Sequence, residues 1–359
     1  MKLKVFAVVL LMSMLLSGCG SFMNGEYVWT EKYEPPQSQT DVDYVWISNY
    51  LQMQNALEDM VENGVIRKVF SVAGYDTGDH SADFASAVKE LKSNHPIAAY
   101  AVDQITCEAG TIAGEPVLVV TISYLHNRSE IRNIITVRDT ADAIEAVHEA
   151  LADCQDGIVL QIEDYRETDF SKIVEAYGMD HPHIVMELPR VVEEVYPKTG
   201  KTRVISLQFY YQTNQNDRKV MQETVAAVFS DAQLQVAGKR TEFEKYSGLY
   251  VFLARRYDYF IEPSATPAFS LLCHGIGDSK SFAMVYAAMC RQAGLECIMV
   301  SGTRDGQSWY WNMIRHGDTY YHLDLIQCSE EGSFAIRDDD AMSGYVWDYT
   351  AYPACGLKN

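Results

Sequence analysis

A helix followed closely by strands, in the C-terminal third, restricts the fold of this chain more than any other feature. Residues 268–294 read AFSLLCHGIGDSKSFAMVYAAMCRQAG, and Gly294 stands in the position after a last helical turn that favours glycine. Earlier helices are predicted at Val220–Phe229 and Glu242–Asp258. Alternating apolar residues then predict strands. The strands are expected at Leu295–Ser301, Ser308–Ile314 and Tyr320–Asp324, joined by a loop at Gly302–Gln307 and a turn at His316–Asp318.

This order of elements resembles the core of the transglutaminase-like superfamily, whose members are relatives of papain-type proteases. In that family a glycine-containing turn delivers a cysteine to the start of a helix. The next strand carries a histidine, and the strand after it carries an aspartate. The corresponding landmarks here are Gly277, Phe282-Ala283, Trp311-Asn312 and Tyr321–Asp324. The resemblance covers roughly residues 215–359 and implies a transglutaminase-like, papain-type α+β domain.

Two of the three catalytic positions implied by the resemblance carry the wrong residue. Ser279 stands in place of the cysteine and Trp309 in place of the histidine, while Asp324 is retained. A serine hydroxyl needs a general base within hydrogen-bond reach. An indole has one N–H donor and no acceptor, so Trp309 cannot take a proton. The resemblance therefore implies a degenerate, inactive triad.

Neighbouring residues offer little to replace the missing groups. Cys273 and His274 are adjacent, and adjacent side chains point in different directions. Cys290 lies well inside the predicted helix and is expected to be a buried thiol. His322 is two residues from Asp324 and so on the same strand face, which makes it the imidazole expected to border the site.

Aromatic residues are predicted around the same site. Trp309 and Trp311 share one strand face, and Tyr320 and His322 share a face with Asp324. If these faces meet, Trp311, Tyr320 and His322 could line a cleft able to stack sugars or hold peptide side chains. For Trp311 a place in the core, as the resemblance implies, is the better explanation.

The N-terminus predicts export and lipid attachment. Met1–Lys4 is short and basic, Val5–Leu16 is almost wholly apolar, and Leu16-Ser17-Gly18-Cys19 follows. About a dozen apolar residues are too few to span a bilayer core of roughly 30 Å. Small residues before a cysteine resemble the lipobox of bacterial lipoproteins. We therefore expect a signal peptide at 1–18, diacylglycerol on Cys19, a tether at 19–43 and a location on the outer face of the cell membrane.

Between the tether and residue 215 the sequence suggests a duplication. Phe84–Pro96 and Phe170–Pro182 both have helical spacing and both stop at His-Pro, and Val119–Tyr124 and Ile205–Tyr210 follow as strands. A module of two diverged α/β repeats is predicted at 44–214. Each repeat is expected to run helix, short strand, helix, strand, strand. The two histidines, His95 and His181, are better explained as helix ends than as a metal pair.

The net charge and the spacing of the cysteines argue against several classes of function. The formal charge of -20 opposes binding to nucleic acid. The chain has no C-x-x-C pair, so the sequence gives no support for a zinc ribbon or a thioredoxin-type site. Cys328 and Cys355 could bridge, but the sequence leaves that open. Nothing in the sequence calls for a metal or an organic cofactor.

Three functions fit these observations. The first is a surface-anchored lipoprotein whose degenerate transglutaminase-like domain binds peptide, cell-wall material or a protein partner. The second is an active cysteine or serine acyl-transfer enzyme, a peptidase or a protein cross-linker, with non-standard residues. The third is a domain kept as a packing unit while the repeats bind.

Overall fold

The computed structural model describes residues 44–76 and 79–356. The predicted signal peptide (1–18), the lipid-attachment residue Cys19 and the tether (19–43) lie outside these residues. In the part of the chain that is described, no helix combines the length and the apolar character needed to cross a bilayer.

A four-stranded sheet with helices begins the described chain. Its strands lie in the order β1-β2-β4-β3, and β4 pairs antiparallel with both of its neighbours. Met53 and Leu57 from the first helix pack on Phe70 of the sheet and are fully buried. The elements are β1 (Tyr44–Trp46), α1 (Tyr50–Glu62), β2 (Arg67–Ser71), α2 (His80–Asn94), α3 (Pro96–Ala101), β3 (Val102–Ile112) and β4 (Glu115–Tyr124).

A second four-stranded sheet follows, with its own apolar core around Leu160 and Phe170. The strand order is β5-β6-β8-β7; β5 and β6 are parallel, and β8 is antiparallel to β6 and β7. The elements are α4 (Arg128–Arg132), β5 (Ile135–Asp139), α5 (Thr140–Ala152), β6 (Gly157–Asp164), α6 (Phe170–Asp180), β7 (Arg190–Tyr196) and β8 (Arg203–Tyr210).

Both sheets thus have the same succession of strands and the same order in space. His95 and His181 each occupy the C-cap of a helix, α2 and α6, where the His-Pro pairs predicted an end. A shared order of elements is what a duplication would produce, and the duplication itself stays a prediction.

Helix α7 (Gln215–Val236) connects the second sheet to the C-terminal domain. Its first turn is capped by the Asn214 side chain, and its buried Arg218 donates to Asp156 (2.6 Å) and to the carbonyl of Cys154 (3.0 Å). The far half of the helix contributes Phe229 to the C-terminal core. Helix α7 therefore makes contacts both beside the second sheet and in the core of the C-terminal domain.

The C-terminal domain places one buried helix against an antiparallel sheet of order β13-β12-β11-β14. Helix α10 carries the central apolar residues of this core, including the fully buried Tyr286 and Cys290. The elements are α8 (Glu242–Ala254), β9 (Asp258–Tyr259), α9 (Pro267–Phe269), β10 (Ile276–Gly277), α10 (Ser279–Gln292), β11 (Cys297–Arg304), β12 (Gln307–His316), β13 (Thr319–Leu323), α11 (Leu325–Glu331) and β14 (Tyr345–Trp347).

Three boundaries differ from the sequence-based expectation. The stretch before Ser279 is a π-turn (Ser270–His274) and a short strand, because Gly275 turns the backbone to φ 84°. Helix α8 ends at Ala254, since residues 258–259 form β9 instead. The expected loop at 302–307 shrinks to a tight turn at Asp305-Gly306, both with positive φ, because β11 and β12 pair as far as Arg304 and Gln307.

The histidine His183, near α7, predicts that the folded protein loses stability in acid. Burial, then the nearby His181 and Arg291, lowers the pKa of His183 to about 4. Between about pH 6.5 and pH 4 the unfolded chain would bind a proton that the folded chain does not, so stability falls as pH falls. We expect a loss on the order of 1 kcal/mol between pH 7 and pH 5 in urea unfolding, after allowing for solvent screening.

The His183→Gln variant should show a smaller loss over this pH range. His316→Gln, at an exposed position, is the matched control and should keep the wild-type loss. An unchanged loss in His183→Gln would contradict the assignment to His183.

Candidate functional site

The start of helix α10 presents Ser279 as its first residue. Asp278 caps the helix, its Oδ1 accepting from the backbone N–H (2.9 Å) and the hydroxyl (2.6 Å) of Ser281. Gly277 is required here, because a Cβ would lie 2.9 Å from the Cβ of Ser281. The turn therefore delivers residue 279 to a helix N-terminus, where partial positive charge favours an anion.

The sheet brings the other two predicted positions to the same place. Trp309 on β12 is 7% exposed, and its Nε1–H donates to Oδ2 of Asp324 at 2.7 Å. The backbone N–H of the next residue, Tyr310, donates to the hydroxyl oxygen of Ser279 at 3.3 Å. Ser279, Trp309 and Asp324 are thus neighbours in space, although 45 residues separate the first from the last in sequence.

Asp324 is the N-cap of helix α11, and donors surround its carboxylate. Oδ1 accepts from the backbone N–H groups of Ile326 (2.9 Å) and Gln327 (3.1 Å). Oδ2 accepts from Trp309 and from the hydroxyl of Tyr345 at 2.7 Å. Burial, and then the charge of Asp324, raises the pKa of Tyr345, so this hydroxyl stays a donor.

Arg304 completes the surroundings of Asp324. Its Nη1 lies 4.0 Å from Oδ2 of Asp324, and its Nη2 donates to Glu330 at 2.7 Å. The guanidinium carbon lies 5.1 Å from the centre of the Trp309 ring. Sequence reasoning missed both Arg304 and Tyr345, which face each other across β11 and β14.

Trp311 and His322, predicted as possible cleft lining, are both buried in the core. The Trp311 indole donates to Nδ1 of His322 at 2.9 Å, and Nε2 of His322 lies 2.9 Å from Asp339. An indole can only donate, so Nδ1 accepts and the ring proton lies on Nε2. Burial lowers the pKa of His322, which keeps the ring neutral. Trp311 is 1% exposed and His322 is 0% exposed, so neither lines an open cleft.

The side chains of His322, Asp339 and Cys355 have their ligand atoms within 4.8 Å of one another, a spacing that could suit a metal ion. A metal on Nε2 of His322 would move the proton to Nδ1, where it would meet the N–H of Trp311. Burial, then Asp339, raises the pKa of the Cys355 thiol to about 12, which opposes a thiolate ligand. The donor set does not fit a metal.

Tyr320, the third predicted lining residue, lies at the other end of the sheet. It pairs with Arg315, and its hydroxyl donates to Glu296, whereas Trp309 lies toward the opposite end of β12. Sharing a strand face with Asp324 did not bring it to the site. The cysteines of the described chain are free thiols, Cys328 and Cys355 included.

A pocket of about 210 Å³ opens beside Trp309. Phe282 of α10 and Leu325 and Ile326 of α11 form its apolar floor, and these three side chains are buried. The ring of Tyr259, which also lines the pocket, lies 5.5 Å from the Trp309 ring. Trp309 itself therefore packs behind the pocket wall.

The chemistry available to Ser279 is limited by these contacts. A nucleophilic serine needs an acceptor for its proton, whereas the indole of Trp309 has only an N–H, which already donates to Asp324. The hydrogen bond of the Ser279 oxygen is with a backbone N–H, which donates. Ser279 is itself only 6% exposed, and none of these contacts gives its hydroxyl a proton acceptor.

Comparison with family models gives a match inside the C-terminal domain. Residues 231–330 match the family model of the Transglutaminase-like superfamily. No curated protein matches the chain. This matched stretch contains Ser279, Trp309 and Asp324.

Several solved structures are similar at low identity. A TGase crystal structure is 10% identical with a TM-score of 0.27 and covers 60% of this chain; the chain spans 63% of it, less than two thirds. A proposed cysteine protease from Cytophaga hutchinsonii is 11% identical with a TM-score of 0.25, covering 44% of this chain and 70% of its own. A proposed protease from Parabacteroides distasonis is 7% identical with a TM-score of 0.24, covering 71% and 39%.

Proposed function

Residues 231–330 form a transglutaminase-like domain, and we propose that in this chain the domain binds a ligand without catalysing acyl transfer. The observation that carries the proposal is the hydrogen bond from Trp309 Nε1 to Asp324 Oδ2 at 2.7 Å. The indole occupies the position of the base and donates to the carboxylate as an imidazole N–H would. It has no lone pair with which to take a proton from residue 279.

We propose peptide, cell-wall material or a protein partner as the ligand, on the outer face of the cell membrane. The membrane location rests on the sequence from Met1 to Cys19, with a lipid on Cys19. The formal charge of -20 opposes nucleic acid as a partner. The pocket beside Trp309 supports binding near this site, because its floor is apolar and its lining residue Tyr259 lies 5.5 Å from the Trp309 ring.

An active acyl-transfer enzyme is the second candidate. The position of Ser279 at the N-terminus of α10 favours it, since that end of a helix stabilises a developing negative charge. A serine-directed fluorophosphonate separates the two readings. Intact mass and peptide mapping should show no adduct at Ser279; stoichiometric labelling there would establish the enzyme instead.

Restoring the two missing groups should create a reactive thiol. In the Ser279→Cys/Trp309→His double variant, the imidazole would lie between the thiol and Asp324 and stabilise the thiolate. We expect iodoacetamide to modify residue 279 about tenfold faster at pH 7 than in Ser279→Cys alone, because the thiolate fraction rises.

The single Ser279→Cys variant is the matched control, with peptide mapping to separate residue 279 from the native thiols. Circular dichroism confirms that the double variant folds. A folded double variant that reacts no faster than the single variant would show that Trp309 does not occupy the base position.

A further inference from the structure

An apolar strip lies exposed beside the pocket. Tyr259, Phe260 and Ile261 are consecutive and 39%, 45% and 64% exposed, and Ile276 on the adjacent strand is 43% exposed. The strip is held by hydrogen bonds from the N–H of Asp258 and of Phe260 to carbonyls of Gly275 and Gly277. Consecutive exposed large apolar residues are unusual on a soluble surface without a binding role.

The pocket next to this strip has the size of one side chain. Its volume of about 210 Å³ is below the range of roughly 300–1,000 Å³ that is typical for whole small-molecule ligands. Phe282, Leu325 and Ile326 would cover an aliphatic stem. Tyr259, which is 39% exposed, supplies an aromatic ring to the lining.

The charges at the mouth are mainly negative. Asp258 and Glu330 line the rim, and both are exposed. Burial, then the carboxylates of Asp278, Glu330 and Asp324, raises the pKa of Tyr259, against an opposing effect of Arg304. Arg304 neutralises Glu330 at 2.7 Å, which leaves the carboxylate of Asp258 to meet an incoming cation.

We propose that this pocket binds an arginine side chain of a partner peptide, with apolar residues on either side of the arginine packing on the strip. An arginine stem can lie on apolar surface while its guanidinium stays at the rim, stacks on an aromatic face and pairs with a carboxylate. The net charge of -20 would attract such a basic segment. This proposal rests on the proposed binding function and names its ligand class.

The test compares two peptides of nearly equal shape, acetyl-Leu-Arg-Leu-amide and acetyl-Leu-citrulline-Leu-amide, by calorimetry on the full chain. Citrulline is the uncharged analogue of arginine. We expect the arginine peptide to bind at least about tenfold more tightly at low salt, with the difference shrinking as salt is added. Equal affinity of the two peptides, or no binding of either, would overturn the proposal.

Variants locate the site. Asp258→Asn should reduce the preference for arginine to less than about threefold, and Ser329→Lys should weaken binding by placing a cation at the rim. Glu108→Gln removes an exposed carboxylate from β3 and should leave both affinities unchanged. A preference for arginine that persists in Asp258→Asn would place the binding elsewhere.

The outcomes also separate this proposal from the proposed function. If neither peptide binds and fluorophosphonate does not label Ser279, the proposed arginine pocket is wrong and the proposal of a non-catalytic domain still holds. If fluorophosphonate labels Ser279 and the protein still prefers the arginine peptide, the proposal of a non-catalytic domain is wrong and the proposed arginine pocket still holds.

Discussion

Replacing Trp311 by alanine should lower the free energy of unfolding by about 3–5 kcal/mol, the range for a fully buried tryptophan. The side chain is 1% exposed and packs edge-on against Tyr345 and Trp347, with ring centres 5.2 and 5.8 Å away. The substitution would leave a cavity and deprive Nδ1 of His322 of its donor. Urea unfolding of the two proteins measures the difference.

The Trp311→Phe variant separates packing from hydrogen bonding. It keeps most of the ring and loses the indole N–H, so we expect a loss of about 1–3 kcal/mol. Equal losses in the two variants would mean that the hydrogen bond to His322, and not the packing, provides most of the stability.

Asp324→Ala should cost a comparable amount, about 3–5 kcal/mol, because it removes one partner from a buried group of charges and donors. Trp309 would lose its acceptor, and Tyr345 would keep only Gln327 Oε1, at 3.1 Å. The guanidinium of Arg304 would lose a nearby negative charge, and helix α11 would lose its cap. The measurement is again urea unfolding at neutral pH.

Asp318→Ala is the matched control for this prediction. Asp318 is fully exposed in the turn after β12 and pairs with Arg315 at 3.4 Å, so its loss should stay within about 0.5 kcal/mol. A similarly small loss for Asp324→Ala would mean that water replaces the missing carboxylate. It would contradict the description of Asp324 as a buried structural group.

A transglutaminase-like domain and a mixed α/β fold were predictable from the sequence. The match over residues 231–330 confirms the domain, and the elements of the structure confirm the fold. The reason is that their signals are local. Gly277 marks a turn, Gly294 marks the end of α10, and alternation marks β12. The resemblance placed Ser279 at a helix start, and in the structure Asp278 caps the helix that begins there.

Contacts between strands that are far apart in the chain could not be predicted from the sequence. Arg304 and Tyr345 meet because β14 returns to pair with β11 after an excursion of 40 residues, and alternation within a strand does not reveal its partner. Alternation likewise gives the face of a strand but not the distance along it. Tyr320 shares a face with Asp324 and yet binds Glu296 at the far end of the sheet.

The four hydrogen bonds that Asp324 accepts give this aspartate a structural role that does not depend on catalysis. Two backbone N–H groups, an indole and a phenol satisfy both oxygens, and none of the four is a proton acceptor in these contacts. Loss of an imidazole in favour of an indole would leave the carboxylate's hydrogen bonding intact, so the acid could outlast the nucleophile and the base without penalty to folding. An aspartate with these contacts is therefore no sign of acyl-transfer activity by itself, and the residue at position 309 is the more informative one to compare between such domains.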